Sequence, residues 1–107
     1  MAEGDSIAYV NGEFLPLAEA RVSILDRGFQ FADGVYEVIP VYGGTPFRLE
    51  AHLRRLARSL GEIRMDLPMP ADQLADAVRE LVARNGGGDC GAYIQVTRGE
   101  APRNHPF

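Results

Sequence analysis

The most constraining feature of this sequence is a change in the spacing of its apolar residues at Leu49. Before that position, short β-branched and aromatic runs alternate with glycine turns, whereas after it leucines recur every three or four residues. The second spacing places one apolar stripe along an amphipathic helix. Its members are Leu49, Leu53, Leu56, Leu60 and Ile63. Such a helix must bury its stripe, and we expect it to pack on a sheet formed by the preceding strands.

The first hairpin is predicted from Asn11-Gly12, which suits the two positive-φ positions of a type I′ turn. The flanking runs, Ile7–Val10 and Glu13–Leu15, have the composition of strands. Residues 16–34 show no sustained period but contain two charged, glycine-bearing clusters around Phe29 and Phe31. We therefore expect an ordered loop there, with a helical turn.

A second hairpin follows, because the β-branched and aromatic run Val35–Tyr42 meets the tight turn Gly43-Gly44 and returns through residues 45–48. Pro40 removes one backbone donor from the long strand. A proline in a strand is confined to a sheet edge or a bulge, so one of the two is expected near Pro40.

A second helix is predicted after Pro68-Met69-Pro70, with an acidic residue, Asp72, in its first turn and Asn85-Gly86 as its terminator. Its inward residues are predicted to be Leu74, Val78, Leu81 and Val82. The run Ala92–Thr97 then alternates as a strand does. The predicted fold is an α+β two-layer sandwich, a mostly antiparallel sheet covered on one side by two helices.

Composition narrows the possible chemistry. All 11 basic side chains among the 107 residues are arginine, so mechanisms that need a lysine of this chain are excluded. The net charge of −4 argues against nucleic-acid binding, and no apolar run approaches the length of a membrane span. His52, His105 and Cys90 match no metal-ligand spacing, so no metal site is predicted. A lone cysteine and the lack of a charged-then-apolar leader predict a cytoplasmic setting.

Two places in the predicted fold offer candidate ligand contacts. Tyr36 and Val38 share one face of the third strand, whereas Glu37 shares the other with Ile39. Tyr36 lies beside a loop and so is either a ligand contact or one half of a cross-strand aromatic pair.

On the first long helix, His52 and Arg55 lie at i and i+3 beside the apolar stripe, and Arg54 and Arg58 form a separate i,i+4 pair. The fixed fork of donors on Arg55 suits a phosphate, and a solvated arginine face is the alternative. The end of the sequence places Arg103 and His105 two residues apart in a proline-containing segment. They are either a carboxylate clamp or part of a fraying terminus.

The same segments, taken as sequence strings, resemble the amino-terminal domain of fold-type IV pyridoxal-phosphate enzymes, the class-IV aminotransferases. Within that family the resemblance is greatest to the D-amino-acid aminotransferases. The matching segments are Tyr9–Gly12, Asp26–Val38, Glu50–Arg55, Gln95–Gly99 and Pro102–His105. By this resemblance, Arg55 holds the phosphate of pyridoxal 5'-phosphate, and His52 supports it from the same helix face. The implied reaction moves an amino group between a D-amino acid and a 2-oxo acid.

The resemblance also implies a substrate site. Tyr36, Arg103 and His105 correspond to the residues that bind the substrate carboxylate, and Val38 to a residue that lines the substrate pocket. The arginine and the histidine reach the site of the partner subunit in that family, which implies a homodimer. Branched-chain aminotransferases and aminodeoxychorismate lyases build the carboxylate site differently, so Arg103 and His105 favour the D-amino-acid enzymes over these relatives.

Members of the family continue into a larger second domain that supplies the catalytic lysine. We therefore expect residues 1–107 to be the amino-terminal small domain, with no catalytic residue of its own and no activity by itself. The alternative is a non-enzymatic α+β module that uses exposed apolar surface to self-associate.

Overall fold

A computed structural model describes residues 6–100, and its first element is the predicted hairpin. Strand β1 (Ile7–Val10) pairs antiparallel with β2 (Glu13–Pro16). Asn11 and Gly12 between them have φ angles of 51° and 92°, as a turn with two positive-φ residues requires. The two strands form a sheet of their own instead of extending the main sheet.

The segment after the hairpin contains two short helical pieces, where one helical turn was predicted. One 3₁₀ turn covers Leu17–Glu19, and helix α1 covers Arg27–Phe31. The side chain of Asp26 caps α1, because its Oδ1 accepts a hydrogen bond from the backbone N–H of Gly28 at 2.7 Å.

The main sheet is three-stranded and antiparallel, in the order β4-β3-β5. The strands are β3 (Gly34–Tyr42), β4 (Thr45–Pro46) and β5 (Cys90–Thr97). Pro40 lies where β4 stops: its carbonyl accepts from the N–H of Phe47 at 2.7 Å, so its missing donor faces that same edge. The pairing of β3 with β5 runs through Pro40 without a bulge. Strand β3 lies between β4 and β5, so Pro40 is not on an edge strand; its missing donor is tolerated because the pairing of β3 with β4 ends at Val41.

Two 14-residue helices cover one face of this sheet, as predicted. They are α2 (Leu49–Glu62) and α3 (Ala71–Arg84). The core contains the first four residues of the predicted α2 stripe, together with Ile39 and Val41 of β3. On α3 the buried face includes Ala75, whereas the predicted Leu81 is only half-buried. The buried residues of α3 are Leu74, Ala75, Val78 and Val82, which lie on one face of the helix.

The hairpin is fastened to the end of α3 by Asn85. The Asn85 side chain accepts from the N–H of Ile7 and donates to the Ile7 carbonyl, both at 2.9 Å, as a neighbouring strand would do. Arg84 lies over the ring of Phe14 at 4.1 Å. The architecture is the predicted α+β arrangement, with every strand pair of residues 6–100 antiparallel. None of the helices in this range is long and apolar enough to cross a membrane.

Candidate functional site

Strand β3 presents different chemistry on its two faces. Val35, Ile39 and Val41 point to the helices and pack in or against the core, and Glu37 lies among them with only 4% of its surface exposed. Tyr36 and Val38 point the other way and are 64% and 48% exposed. The period of two in a strand accounts for this separation. A charged side chain on the core face requires partners there.

The partners of Glu37 are the two residues predicted on the face of α2. Oε1 of Glu37 is 2.7 Å from Nδ1 of His52, and Oε2 accepts from Nε of Arg55 at 3.1 Å. A second nitrogen of Arg55, Nη2, also donates to Oε1, which makes the arginine contact bidentate. Because an ionised carboxylate only accepts hydrogen bonds, Nδ1 is the protonated nitrogen of His52 in this arrangement. One buried carboxylate therefore orients both side chains.

The electrostatics of this group agree with its geometry. The hydrogen bonds from Arg55, and secondarily that from His52, hold the pKa of Glu37 below its ordinary value of 4.5 although burial opposes the shift. The same contact raises the pKa of Arg55. Glu37 is thus an anion and Arg55 a cation across the physiological pH range.

The Arg55 side chain remains 61% exposed although Glu37 holds it. It lines a crevice of about 270 Å³ together with Arg48, Ala51, His52 and Arg58. Among residues 6–100 no acidic side chain lines this crevice, and guanidinium forks suit phosphate oxygens. An arginine has five N–H donors, of which Glu37 engages two, so three remain to face the crevice. The residues present therefore fit a phosphate monoester.

The structure corrects the predicted grouping of the arginines on α2. Arg58 belongs to the same crevice as Arg55 and His52. Arg54, the predicted partner of Arg58, instead lines an apolar groove between α2 and α3. The helical spacing identifies Arg54 and Arg58 as neighbours, but the packing of α3 separates their surroundings.

The open face of the sheet carries the other predicted contacts. The ring of Tyr36 stacks on that of Tyr93 in β5, with centroids 5.7 Å apart and planes inclined by 22°. The cross-strand aromatic pair therefore forms, and both rings remain exposed on a face that no helix of residues 6–100 covers. Val38 lies beside this pair, because Tyr93 is its partner in the register.

The two predicted groups are on opposite faces of β3, and one edge of the strand connects them. On the β4 side, strand pairing within residues 6–100 involves only Val41 and Tyr42. The edge along residues 34–39 thus has no strand partner in that range. Arg55 contacts Glu37 on the helix-covered face of β3, and Tyr36 lies on the open face. Arg103 and His105 lie outside the described residues.

Glu37 is the residue that sequence reasoning missed. Its assignment to the face of Ile39 is correct, but no role was predicted for it. The signal was present, because an acidic residue in alternation with Val35, Ile39 and Val41 on a core face needs a cationic partner. His52 and Arg55, spaced i,i+3 beside the apolar stripe, are the cationic partners that such an acidic residue needs.

Comparison with known proteins gives a consistent family. The model of the family described as amino-transferase class IV matches residues 34–107. The D-alanine aminotransferase of Staphylococcus haemolyticus is 48% identical over 99 residues, which are 92% of this chain and 35% of that protein. The D-alanine aminotransferase of Bacillus licheniformis is 47% identical over 97 residues, 91% of this chain and 34% of that protein. The chain thus spans about a third of the length of these relatives.

The fold has solved counterparts. A branched-chain amino acid aminotransferase complexed with N-(5'-phosphopyridoxyl)-L-glutamate superposes with a TM-score of 0.84 and 29% identity, over 92% of this chain and 34% of that one. The branched-chain aminotransferase of the thermophilic archaeon Thermoproteus uzoniensis, solved with norvaline, has a TM-score of 0.74 and 33% identity, over 86% of this chain and 32% of that one. Because the family model covers most of this chain and the fold agrees, the chain belongs to the class IV aminotransferases.

Proposed function

We propose that this chain is the amino-terminal domain of a pyridoxal-phosphate aminotransferase that moves an amino group between a D-amino acid and a 2-oxo acid. The D-alanine aminotransferases that it resembles at 46–48% identity support the reaction. The third of their length that it spans supports its place as one domain of a longer enzyme. Residues 1–107 have no lysine, so the lysine that such an enzyme needs belongs to a second domain.

The observation that carries the proposal is the Glu37, His52 and Arg55 group. The buried carboxylate of Glu37 holds the guanidinium of Arg55 through two hydrogen bonds before any ligand binds. The other donors of this exposed side chain are left for a ligand. Such preorganisation reduces the entropy lost on binding. Arg55 and His52 would hold the cofactor phosphate, with Arg48 and Arg58 adding positive charge to the same crevice. Pyridoxal 5'-phosphate, when bound, supplies the electron sink that stabilises a carbanion at the substrate's α-carbon.

Substrate binding is assigned to the opposite side of β3. Tyr36 presents its hydroxyl and Val38 its apolar side chain on the open face. Arg103 and His105 are proposed to bind the substrate carboxylate with Tyr36, since a guanidinium and an imidazole two residues apart are suited to that anion. With the cofactor phosphate held at one side of the strand and the substrate carboxylate at the other, the cofactor and the substrate would each be oriented toward the other.

A homodimer is part of the proposal, because Arg103 and His105 are expected to complete the site of the partner subunit. Its support in this structure is a set of exposed apolar side chains in the segment before and within α1. They are Val22, Ile24, Leu25 and Phe29. The proposed setting is the cytoplasm, where the single exposed Cys90 stays reduced.

Amino transfer by the full-length enzyme tests the proposal. D-Alanine and L-leucine are offered in parallel with a 2-oxo acid, and the keto product of each is measured. Faster conversion of D-alanine is expected. Conversion of L-leucine alone would replace the proposal with a branched-chain aminotransferase, the second candidate, which the structural neighbours favour.

A chemical test applies to the 107 residues alone. We expect them to be inactive, and we expect borohydride reduction in the presence of pyridoxal phosphate to modify no side chain, because the only ordinary amine is at the amino terminus. Mass spectrometry of the peptides measures the outcome. A modified side chain would contradict the assignment of the imine-forming residue to a second domain.

A further inference from the structure

A row of four basic side chains follows one face of α2, starting at the residue before the helix. Arg48, His52, Arg55 and Arg58 line the crevice of about 270 Å³ described above. They recur every three or four residues, which is the spacing of a single helix face. From Arg48 to Arg58 the row is about 15 Å long, at a rise of roughly 1.5 Å per residue. The proposed cofactor phosphate uses only the two central members, His52 and Arg55.

The two outer arginines of this row, Arg48 and Arg58, have no acidic partner among residues 6–100. Several other arginines of this range do form ion pairs with carboxylates: Arg27, Arg79, Arg84 and Arg98. The guanidinium of Arg48 lies 5.4 Å from the centre of the Phe47 ring, a cation–π contact that leaves its charge unneutralised. Both outer arginines therefore keep their charge-assisted donors for a ligand.

Arg54 shows how different the surroundings of an arginine on the same helix can be. It lines the groove between α2 and α3, where three acidic side chains also lie: Glu50, Asp72 and Asp76. The crevice that contains Arg48 and Arg58 has no acidic lining residue in the described part of the chain. In a sequence with a net charge of −4, this local excess of positive charge favours the binding of an anion there.

We propose that Arg48 and Arg58 extend the Arg55 position into a binding site for a diphosphate, whose second phosphate group they contact. The fixed fork of donors on a guanidinium matches two oxygens of a phosphate, and a diphosphate has its second phosphate next to the first. No phenylalanine, tyrosine or tryptophan among residues 6–100 lines the crevice, so a nucleoside has no ring there to stack on. Inorganic pyrophosphate is therefore the ligand that the crevice fits. The inference does not depend on the amino-transfer reaction.

The test titrates the 107-residue chain with four anions and follows the Nε–H signals of its arginines by NMR. The anions are phosphate, pyrophosphate, citrate and adenosine diphosphate. Citrate is a multivalent anion without phosphate, and adenosine diphosphate carries the diphosphate on a nucleoside. The ionic strength is held at about 0.15 M, where charges more than about 8 Å apart are largely screened from each other.

Pyrophosphate should bind at least about tenfold more tightly than phosphate and than citrate, since an added charge-assisted hydrogen bond contributes at least that factor. Adenosine diphosphate should bind within about threefold of pyrophosphate, because only the phosphates are contacted. A chain that binds pyrophosphate no better than phosphate would keep the proposed cofactor site and overturn the second subsite. Equal affinity for citrate, or adenosine diphosphate binding at least about tenfold more tightly than pyrophosphate, would also overturn the inference.

Two substitutions locate the second phosphate. Arg58→Gln should reduce the preference for pyrophosphate over phosphate at least about fivefold, and Arg48→Asn should do the same. Asparagine is chosen at position 48 because it tolerates the φ of 53° found there. Arg54→Gln is the matched control, since it makes the same change of charge on the same helix but outside the crevice, and it should keep the preference within about twofold of wild type. Equal effects of Arg58→Gln and Arg54→Gln would indicate a response to net charge alone and would overturn the inference.

Discussion

Glu37 is buried beneath Arg55 and accepts two hydrogen bonds from its guanidinium, one of them from Nε at 3.1 Å. This pairing joins the core of the domain to its proposed anion site. The carboxylate of Glu37 is 4% exposed, whereas the arginine side chain is 61% exposed. The buried carboxylate therefore holds an exposed guanidinium in place. An isolated ion pair at the surface, by contrast, would contribute little to stability.

Substituting Glu37→Gln tests this support. The amide keeps the volume but leaves a cation and an imidazole without their buried partner, so we expect the free energy of unfolding to fall by about 1–3 kcal/mol. Urea denaturation of the 107-residue chain measures it. Glu62→Gln, at an exposed position of α2, is the control and should stay within about 0.5 kcal/mol of wild type. Equal stability of the two variants would contradict the supporting role.

Acid should destabilise the domain through two named carboxyls. The pKa of Glu37 is below its ordinary 4.5 and that of Asp33 is below 3.8, in both cases chiefly because an arginine donates to the carboxylate. A carboxyl with a lowered pKa in the folded state contributes stability that is complete above its unfolded pKa and is lost as the pH falls through its folded pKa.

The free energy of unfolding should therefore decline once the pH falls below about 4.5 and continue to decline below 3.8. Urea denaturation across this range should show a shallower decline for Glu37→Gln and for Asp33→Asn than for wild type. A steeper decline in either variant would be inconsistent with the direction of these pKa shifts.

Gly28 and Gly34 have no room for an added methyl group. A Cβ on Gly28 would lie 2.2 Å from Cγ2 of Thr97, and a Cβ on Gly34 would lie 2.5 Å from the carbonyl oxygen of Val96. We expect Gly28→Ala and Gly34→Ala each to cost roughly 1–3 kcal/mol, as overpacking does. Gly61, inside α2, has nothing within 4 Å of its added Cβ, and Gly61→Ala should stabilise the helix by about 0.5–1 kcal/mol. Thermal unfolding measures all three.

A second substitution separates the two steric causes. Thr97→Ser removes the Cγ2 atom that a Cβ on Gly28 would meet, so it should recover part of the loss in Gly28→Ala. It should recover less in Gly34→Ala, whose nearest conflict is with the backbone carbonyl of Val96. An equal recovery of stability in Gly28→Ala and Gly34→Ala would contradict these contacts of the two glycines with the end of β5.

Local patterns were enough to predict most of the fold. The leucine stripe of α2 and the Asn11-Gly12 turn are decided by residues close together in sequence, and both are confirmed. The return of the second hairpin through residues 45–48 was predicted, although β4 is shorter and covers only Thr45–Pro46. The separate sheet of the first hairpin was not foreseen. The position of that hairpin involves the contact of Ile7 with Asn85, which is 78 residues away in sequence.

The candidate site was predictable in part for the same reason. The i,i+3 spacing brings His52 and Arg55 together within one helix, and the structure places them together. Their common partner Glu37 is 15 and 18 residues away in sequence, and the pairing depends on which face of β3 the helix covers. Local spacing does not determine that. The roles of Arg103 and His105 remain predictions.

The most direct test of the whole account compares Arg55→Ala with Arg103→Ala in the full-length enzyme, measuring bound pyridoxal phosphate by absorbance and the KM for D-alanine. Arg55→Ala should weaken cofactor binding by roughly 10- to 100-fold, the loss expected when charge-assisted hydrogen bonds are removed. Arg103→Ala should keep the cofactor and raise the KM. Loss of cofactor in Arg103→Ala, with Arg55→Ala fully loaded, would contradict the assignment of the phosphate to the Glu37-supported arginine.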